Sequence, residues 1–379
     1  MESLKIAIFC WESLYAERVG GLAPAATHLA ETLARNHEVH FFTRGSIPDQ
    51  AIGGVRYHYC RPEGRNIVEY CDSMSRLMVE QFRKFDASEK FDYLHFNDWH
   101  AVQALHVLQD RNTVLTFHST EYGRSGNTFG SWWEFREISG KEWYGALIAK
   151  RVTAVSASMK NEVMQLYNVP DWKCDVVPNG IVPQQYRREV DAEEVKRSYG
   201  IKPSAPLVFF IGRLAYQKGP DLLVGAMKTV HCEFPDASLI MAGEGDMNMV
   251  LQEQACSLPI AFTGHIPDSV YIPLLNASDL VVIPSRNEPF GLVLLEAWSA
   301  GRGVVASNVG GLAENIDDSI DGLKVEPDAG CLARGIGSVL GEPSRAAALG
   351  RRGREKAERA FRWEPIGRMI IGTYSRVNT

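Results

Sequence analysis

The sequence predicts an α/β protein of two doubly wound domains, each built on a largely parallel sheet. Short apolar runs alternate with longer helical patterns through both halves of the chain. Strands that recur with a helix between each pair require crossover connections, which place the strands parallel in a sheet covered on both faces. The length of 379 residues, at about 150 residues per domain, predicts two or three domains.

The expected strands and helices alternate in the same way in both halves. The first half has expected strands at 4–10, 38–42, 55–60, 91–96, 113–118, 151–155 and 174–177, with helices near 21–35, 69–87, 99–110, 131–148 and 157–168. The second half has expected strands near 206–212, 238–243, 260–263, 280–283, 303–307 and 323–325. In such sheets ligands bind beyond the carboxyl ends of the strands, so we expect a site in a cleft between the domains.

The expected domain boundary follows Pro178-Asn179-Gly180, where the strand pattern gives way to a polar stretch at 184–204. We assign residues 1–182 to the first domain and 183–362 to the second. The last segment, from about residue 344 to 377, has a helical pattern only. Pro365 suits the first turn of a final helix.

Composition excludes several classes of protein. Hydrophobic residues make up 45% and charged residues 23% of the chain, which is ordinary for a globular protein and excludes collagen-like, coiled-coil and disordered chains. A net charge of -6 does not favour nucleic-acid binding. The seven scattered cysteines form no CxxC pair, which fits a reducing cytosol. Because no apolar run approaches a membrane span, we expect a cytoplasmic protein without membrane insertion.

Two loops that follow strands have residue types that bind phosphate. Gly20-Gly21 lies between the first strand and a helix, where backbone amides can approach an anion, although a tight turn is an equal reading. Arg213 and Lys218 follow the strand at 206–212 and could neutralise a diphosphate without a metal, or could simply be surface cations. The G-x-G-x-x-G dehydrogenase fingerprint is missing at Gly20-Gly21, and the chain has no G-x-x-x-x-G-K-[ST] loop.

Two glutamates frame the start of a helix in the second half. Glu288 lies in the loop after the strand at 280–283, and Glu296 lies in an otherwise apolar helix. A carboxylate in such a helix is costly without a partner, and a ribose diol would be a natural one. Gly291 and Leu292 open this helix with unsatisfied amides. Helix capping is an alternative for Glu288, but it explains only one of the two acids.

The histidines and aromatic residues of the first half do not indicate a metal site. The spacings among the histidines match no zinc motif. His100 follows a strand end and begins a helix, and His118 is a weaker candidate of the same kind. The segment 131–144 is rich in aromatics, for which a packed helix face is the favoured reading over sugar stacking. The polar loop after His118, with Glu121, Tyr122 and Arg124, is placed where an acceptor would be recognised.

These motifs together resemble the retaining GT-B glycosyltransferases of family 4 and the neighbouring glycogen and starch synthases. The span from Ser285 to Glu314 is similar to the family's E-x7-E signature. Gly212-Arg213 with Lys218-Gly219 resembles its phosphate-binding pair, and Val19-Gly20-Gly21-Leu22 its glycine loop. Asn97-Asp98-Trp99-His100 resembles the D-W-H element of the synthases, and Thr116-Phe117-His118 their following strand end.

The resemblance implies a role for each matched residue. Arg213 and Lys218 would hold the diphosphate of a nucleotide sugar, and Glu288 would contact the hexose. Glu296 would bind the ribose hydroxyls. The residues implied to bind the donor come from both domains: Gly20, Gly21, Phe290, Gly291, Leu292 and Glu296. His100 would line the sugar subsite. The resemblance also implies a GT-B fold, whose final helix, 363–379, returns to the first domain.

The expected function is transfer of a hexose, most simply glucose, with retention of anomeric configuration, from an ADP- or UDP-hexose to an α-1,4-glucan. We expect no cofactor and no metal, since no D-x-D motif occurs. Within the fold the alternatives are a small-acceptor transferase that makes a disaccharide or glycosyl phosphate, and a nucleotide-sugar epimerase. A catalytically silent partner subunit and an NAD-dependent oxidoreductase are the alternatives of other classes.

Overall fold

The computed structural model describes residues 3–88 and 90–377, and these form 14 strands and 15 α-helices. The strands are β1 (Lys5–Phe9), β2 (Glu38–Arg44), β3 (Gln50–Ile52), β4 (Val55–Cys60), β5 (Tyr93–Asn97), β6 (Thr113–Phe117), β7 (Arg151–Ala154), β8 (Cys174–Val176), β9 (Leu207–Ile211), β10 (Ser238–Ala242), β11 (Ile260–Gly264), β12 (Leu280–Ile283), β13 (Gly303–Ser307) and β14 (Leu323–Val325).

Helices separate most of the strands. They are α1 (Leu22–Ala34), α2 (Ile67–Asp86), α3 (Val102–Val107), α4 (Glu121–Arg124), α5 (Trp133–Ile148), α6 (Ala157–Tyr167), α7 (Ala192–Ser198), α8 (Pro220–Glu233), α9 (Asn248–Gln254), α10 (Asp268–Ala277), α11 (Leu292–Ser299), α12 (Gly310–Asn315), α13 (Ala329–Leu340), α14 (Pro343–Ala360) and α15 (Trp363–Ser375).

The chain folds into two compact units. The first comprises Met1–Tyr122, Thr128–Gly180 and Trp363–Thr379, and the second comprises Gly123–Asn127 and Ile181–Arg362. The short segment Gly123–Asn127 therefore groups with the second unit, although the sequence division placed it in the first domain. Both units are α/β, as the alternating pattern predicted.

The first unit contains an eight-stranded sheet with the order β3-β4-β2-β1-β5-β6-β7-β8. All pairs are parallel except β3 with β4. Its central strand β1 is apolar and buried, and the ring of Phe9 stacks on Phe42 and Phe96 at centroid distances of 5.1 and 4.6 Å. Burial on both faces explains why these strands are continuous apolar runs in the sequence.

The second unit contains a six-stranded parallel sheet with the order β11-β10-β9-β12-β13-β14. The neighbouring strands β9 and β12 lie at its centre, between the two halves of the winding. Chain order reverses at this pair, and such a switch point opens a crevice beyond the carboxyl ends of the strands. The loops that contain Arg213, Lys218 and Glu288 begin there.

The sequence missed three short elements, β3, α4 and α7. Strand β3 has three residues and pairs only along one edge with β4, so it gives little apolar signal. Helix α7 lies in the stretch that we expected to be polar and irregular, where the Asp191 side chain caps it by accepting from the amide of Glu194 at 3.0 Å. A short charged helix has no apolar periodicity to reveal it.

Helix α15 belongs to the first unit, as the family resemblance implied. Its Tyr374 hydroxyl lies 2.8 Å from Nδ1 of His95 on β5, and Thr373 donates to Asp175 at 2.9 Å. Pro365 lies in the first turn of this helix. None of the helices in the described parts of the chain is long and apolar enough to cross a membrane.

Candidate active site

Lys218 and Glu288 meet in the second unit. The Lys218 ammonium donates to Oε2 of Glu288 at 2.8 Å, and both side chains are largely shielded from solvent. Lys218 comes from the loop after β9, and Glu288 from the loop after β12. Gly219 permits this approach, because its φ is +63° and a Cβ there would lie 2.1 Å from the carbonyl oxygen of Pro284.

The loop that contains Glu288 is fixed on two sides. The Ser285 hydroxyl donates to Oε2 of Glu288 at 3.1 Å. The backbone carbonyl of Glu288 accepts from the amide of Gly311 at 2.8 Å. Gly310, with φ +49°, lies so close to that carbonyl that a Cβ would be 2.2 Å from it. The Gly310-Gly311 pair thus lets α12 hold Glu288 in place.

Arg213 lies on the same loop as Lys218 and is positioned by a residue that sequence reasoning missed. Its Nη2 donates to Oε1 of Gln217 at 3.0 Å, and Gln217 is buried. The carbonyl of Gln217 accepts from the amide of Arg286 at 2.8 Å. Gln217 thereby links the Arg213 loop to the Glu288 loop by hydrogen bonds. No motif in the sequence predicts this link.

Glu296 lies on α11 with two tyrosines that are distant in sequence. The hydroxyls of Tyr186 and Tyr271 donate to Oε1 and Oε2 of Glu296 at 3.1 and 2.5 Å. Burial raises the pKa of the Tyr271 hydroxyl well above its ordinary value, and the Glu296 carboxylate adds to the rise. These two hydroxyls are the partners that a carboxylate in this apolar helix was expected to need. Two oxygens can accept further hydrogen bonds, which leaves room for a diol.

Helix α11 begins at Leu292, with Gly291 as its N-cap in the left-handed region at φ +97°. The ring of Phe290 is buried and lies 6.0 Å from the Phe361 ring, centroid to centroid. Phe290 could therefore contribute only its backbone to a ligand. The amides at this N-terminus remain the groups that could hold a sugar hydroxyl or phosphate.

The glycine loop in the first unit surrounds a buried carboxylate that the sequence did not single out. Oε2 of Glu12 accepts from the amide of Gly20 at 3.0 Å and from the amide of Val19. Burial raises the pKa of the Glu12 carboxyl, and the two amides act in the opposite direction. Glu12 thus occupies donors that we had assigned to phosphate, while Gly21 caps α1.

His100 lies between two indole rings. Its imidazole stacks on Trp11 and on Trp99, with centroids 4.3 Å apart in both pairs and interplanar angles of 11° and 26°. The guanidinium of Arg44 lies 4.1 Å from the Trp11 ring centroid. This stacking fixes the imidazole plane. Trp11 was not predicted to belong to a site.

Asp98 precedes His100 in a strained conformation. Its φ is +55°, which is rare for a residue with a Cβ and is common where a site imposes it. Its Oδ1 accepts from the amide of His118 at 2.7 Å. His118 Nε2 lies 3.0 Å from Oδ1 of Asn97, and burial lowers the pKa of its imidazole to about 4. Asp98 therefore links the turn that contains His100 to the end of β6.

The other predicted acceptor residues lie around the short helix α4. The amide of Glu121 donates to the carboxylate of buried Glu142 at 3.0 and 2.9 Å. The ring of Tyr122 lies 4.8 Å from that of Phe129, centroid to centroid. Arg124 lies in Gly123–Asn127, the segment grouped with the second unit. The four predicted acceptor residues are thus divided between the units.

In its described residues the chain has no group of three or more His, Cys, Asp or Glu side chains arranged to hold a metal ion. The groups at the candidate site that could bind an anion are cations and backbone amides. Within the second unit the structure brings Lys218 and Glu288 into contact and ties Arg213 to their loops. Within the first unit the glycine loop follows the carboxyl end of β1, and His100 follows the carboxyl end of β5.

Comparison with known families matches both halves of the chain. A model described as Glycosyltransferase Family 4 matches residues 19–185, and one described as Glycosyl transferases group 1 matches residues 191–356. An uncharacterized glycosyltransferase of Methanocaldococcus jannaschii is 33% identical over 98% of both chains. The chain belongs to glycosyltransferase family 4. This membership favours glycosyl transfer over the epimerase and oxidoreductase alternatives.

The names of two further relatives describe the synthesis of glycogen and of alpha-maltose 1-phosphate. The glycogen synthase of Mycobacterium tuberculosis is 29% identical over 98% of this chain and 94% of its own. The alpha-maltose-1-phosphate synthase of Mycolicibacterium smegmatis is 32% identical over 77% of this chain and 80% of its own.

Solved structures establish the GT-B fold of this family 4 glycosyltransferase. The sucrose-phosphate synthase of Thermosynechococcus elongatus superimposes with a TM-score of 0.80, 24% identity and 98% coverage of both chains. The catalytic domain of starch synthase IV from Arabidopsis thaliana gives a TM-score of 0.79, with 18% identity and 99% coverage of both chains.

Proposed function

We propose that this family 4 glycosyltransferase moves glucose from an ADP- or UDP-glucose donor to an acceptor hydroxyl, with retention of anomeric configuration and without a metal ion. The observation that carries the proposal is the 2.8 Å contact between Lys218 and Glu288 on loops that follow the two central strands. It joins a cation suited to a diphosphate to a carboxylate suited to sugar hydroxyls.

The charge near this contact supports a metal-free role. Arg213 and Lys218 contribute two positive charges, and Glu288 removes one. Helices α8 and α11 begin beside these residues, and each N-terminus contributes about half a positive charge, so the sum is about +2. A sugar diphosphate carries about two negative charges, which this sum would neutralise without a divalent cation.

The proposed step breaks the bond between the anomeric carbon and the diphosphate oxygen, and the electron pair leaves with the diphosphate. Arg213 and Lys218 stabilise that developing charge. The acceptor oxygen attacks the same face of the sugar and forms the new bond, and its proton passes to an oxygen of the departing phosphate. Glu288 orients the sugar through its hydroxyls. Atoms and charges balance without a covalent enzyme intermediate.

An α-1,4-glucan is the proposed acceptor, and the match to a glycogen synthase over 98% of this chain supports it. A small acceptor is the second candidate. It is supported by the 32% identity to an alpha-maltose-1-phosphate synthase, whose name describes a disaccharide phosphate. The two candidates share the donor half of the mechanism and differ only in the acceptor.

Nucleotide release tests the proposal directly. ADP-, UDP- and GDP-glucose are each incubated with the enzyme alone, with maltodextrin and with glucose 1-phosphate. The proposal predicts release of ADP or UDP that depends on maltodextrin and persists in EDTA. Release that depends only on glucose 1-phosphate would move the assignment to the second candidate. No release from any of the three donors would contradict both.

A further inference from the structure

The second unit contains a cavity at the amino-terminal ends of its strands, and the candidate active-site residues lie at the opposite, carboxyl-terminal ends. Its volume is about 430 Å³, and its lining includes Pro206, Asp279 and Gly303. These residues lie at the amino ends of β9, β12 and β13, whereas Arg213 and Glu288 follow the carboxyl ends of β9 and β12. A ligand here would not overlap the donor site.

The lining of this cavity has an excess of positive charge. Lys196, Arg302, Arg351 and Arg354 line it, against one carboxylate, Asp279. Lys196 is already neutralised, because its ammonium lies 2.8 Å from Oδ2 of Asp279. It also donates to the carbonyl of Ala205 at 2.9 Å. The three arginines therefore account for the excess charge.

Among the described residues no carboxylate forms an ion pair with these arginines, and Asp279, which is already paired with Lys196, is the carboxylate that acts on Arg302. Arg302 is half-buried and donates to the backbone carbonyls of Ala300 and Ser278 at 3.2 and 3.1 Å. Burial lowers the pKa of its guanidinium, Asp279 acts in the opposite direction, and the neighbouring Arg354 lowers the pKa further. Three arginines gathered around one carboxylate that Lys196 already pairs leave like charges uncompensated, so this arrangement calls for an anion.

Two of the arginines come from one face of α14. Arg351 and Arg354 are three residues apart, so they project from the same side of the helix. The proposed transfer reaction gives neither of them a role. An ordinary solvated helix face would not place both side chains in one cavity with a third arginine from another element.

The remaining wall of the cavity is apolar. Val339, Leu340, Pro343 and Ala346 line it. The volume lies in the range of small-molecule sites, which combine apolar walls with a few charged groups. This pairing fits a small organic molecule with a phosphate group better than it fits a bare inorganic ion.

We propose that this cavity binds a small organic phosphate monoester, with its phosphate held by Arg302, Arg351 and Arg354 and its body against the apolar wall. A planar guanidinium matches the geometry of phosphate oxygens and holds them by paired hydrogen bonds. This site is separate from the donor site and adds a second ligand to the protein.

Calorimetric titration of the full-length protein with glucose 6-phosphate tests the proposal, with glucose and inorganic phosphate as comparison probes. We expect glucose 6-phosphate to bind with a Kd of about 1 mM or tighter, inorganic phosphate to bind more weakly and glucose to give no heat. The double variant Arg351→Ala/Arg354→Ala should raise the Kd at least about tenfold.

A matched control removes two arginines of the same helix that do not line the cavity. Arg352→Ala/Arg359→Ala should retain the wild-type affinity, and so should Lys218→Ala at the donor site. Arg351→Glu, a single change at an exposed position, repeats the test if the double variant folds poorly. Equal losses in both double variants, no binding to the wild type, or equal affinity for inorganic phosphate and glucose 6-phosphate would each overturn the proposal.

Discussion

The ammonium of Lys218 lies 2.8 Å from Oε2 of Glu288. The two residues are separated by 70 positions in the chain and lie on loops that follow the two central strands of one sheet. A cation that neutralises a leaving diphosphate and a carboxylate that orients the sugar would thus act as a unit. Residues that act as a unit show losses that do not add.

Lys218→Ala should lower kcat by about 10²- to 10³-fold, because a charge that stabilises the leaving group is lost. Glu288→Gln should lower kcat by a similar factor, and kcat of the double variant should be only slightly lower than that of either single variant. Steady-state rates with the active donor measure this. Lys228→Ala, an exposed lysine on α8, is the matched control. Additive losses would contradict coupling between Lys218 and Glu288.

Glu296→Gln should weaken nucleotide binding by about 10- to 100-fold, since a charge-assisted hydrogen bond to a ribose hydroxyl contributes about 1.5–3 kcal/mol. Titration with the nucleoside diphosphate and with its 2′,3′-dideoxy analogue separates this role from a structural one. The dideoxy analogue should bind wild type and variant equally. If both ligands lose the same factor, Glu296 acts through its tyrosine partners and not on the ribose.

Glu12→Ala should lower the free energy of unfolding by about 1–3 kcal/mol, because two loop amides lose their acceptor. It should also reduce kcat/KM through a poorly ordered glycine loop. Glu17→Ala is the control on the same loop, since its pair with Arg44 is partly exposed and should contribute less than about 1 kcal/mol. Chemical denaturation measures both, and equal effects would exclude a special role for Glu12.

The first unit should lose stability in acid. Burial lowers the pKa of His95 to about 3 and those of His40 and His118 to about 4. The unfolded chain has an imidazole pKa near 6.5, so it binds more protons than the folded chain between these values. The stabilisation is complete above about pH 6.5 and falls by at most about 1.4 kcal/mol per pH unit for each histidine below that.

Denaturant titrations between pH 7 and pH 4 measure this slope. His95→Gln removes one titrating group, so its unfolding free energy should depend less steeply on pH than that of the wild type. A slope that is identical in variant and wild type would show that protonation of His95 is not linked to unfolding.

Motif spacing predicted the positions of Glu288 and Glu296, one in a loop and one in a helix, because strand ends and helix starts leave local signals. It did not predict their partners. Tyr186 and Tyr271 lie 110 and 25 positions from Glu296, and only the packing of the second unit brings them together. Glu12 was missed for a related reason, since a loop has no periodicity to mark a buried carboxylate.

The sheet was more predictable than the short elements. Thirteen expected strands are present, because buried parallel strands are continuous apolar runs. Helix α7 and strand β3 were missed because neither buries enough apolar surface to leave a pattern. Gly123–Asn127 belongs to the second unit, where Asn127 donates to the carbonyl of Arg286 and accepts from the side chain of Asn287. Sequence alone does not reveal these long-range contacts.

Proton NMR tests directly whether transfer retains the anomeric configuration, needs no metal ion and depends on Lys218. The reaction between the active nucleotide-glucose donor and maltodextrin is recorded with the wild type and with Lys218→Ala in parallel. We expect the wild type to form one new α-linked glucosyl residue for each nucleoside diphosphate released, both with and without EDTA. We expect the variant to form almost none. A β-linked product, or transfer by Lys218→Ala at the wild-type rate, would contradict it.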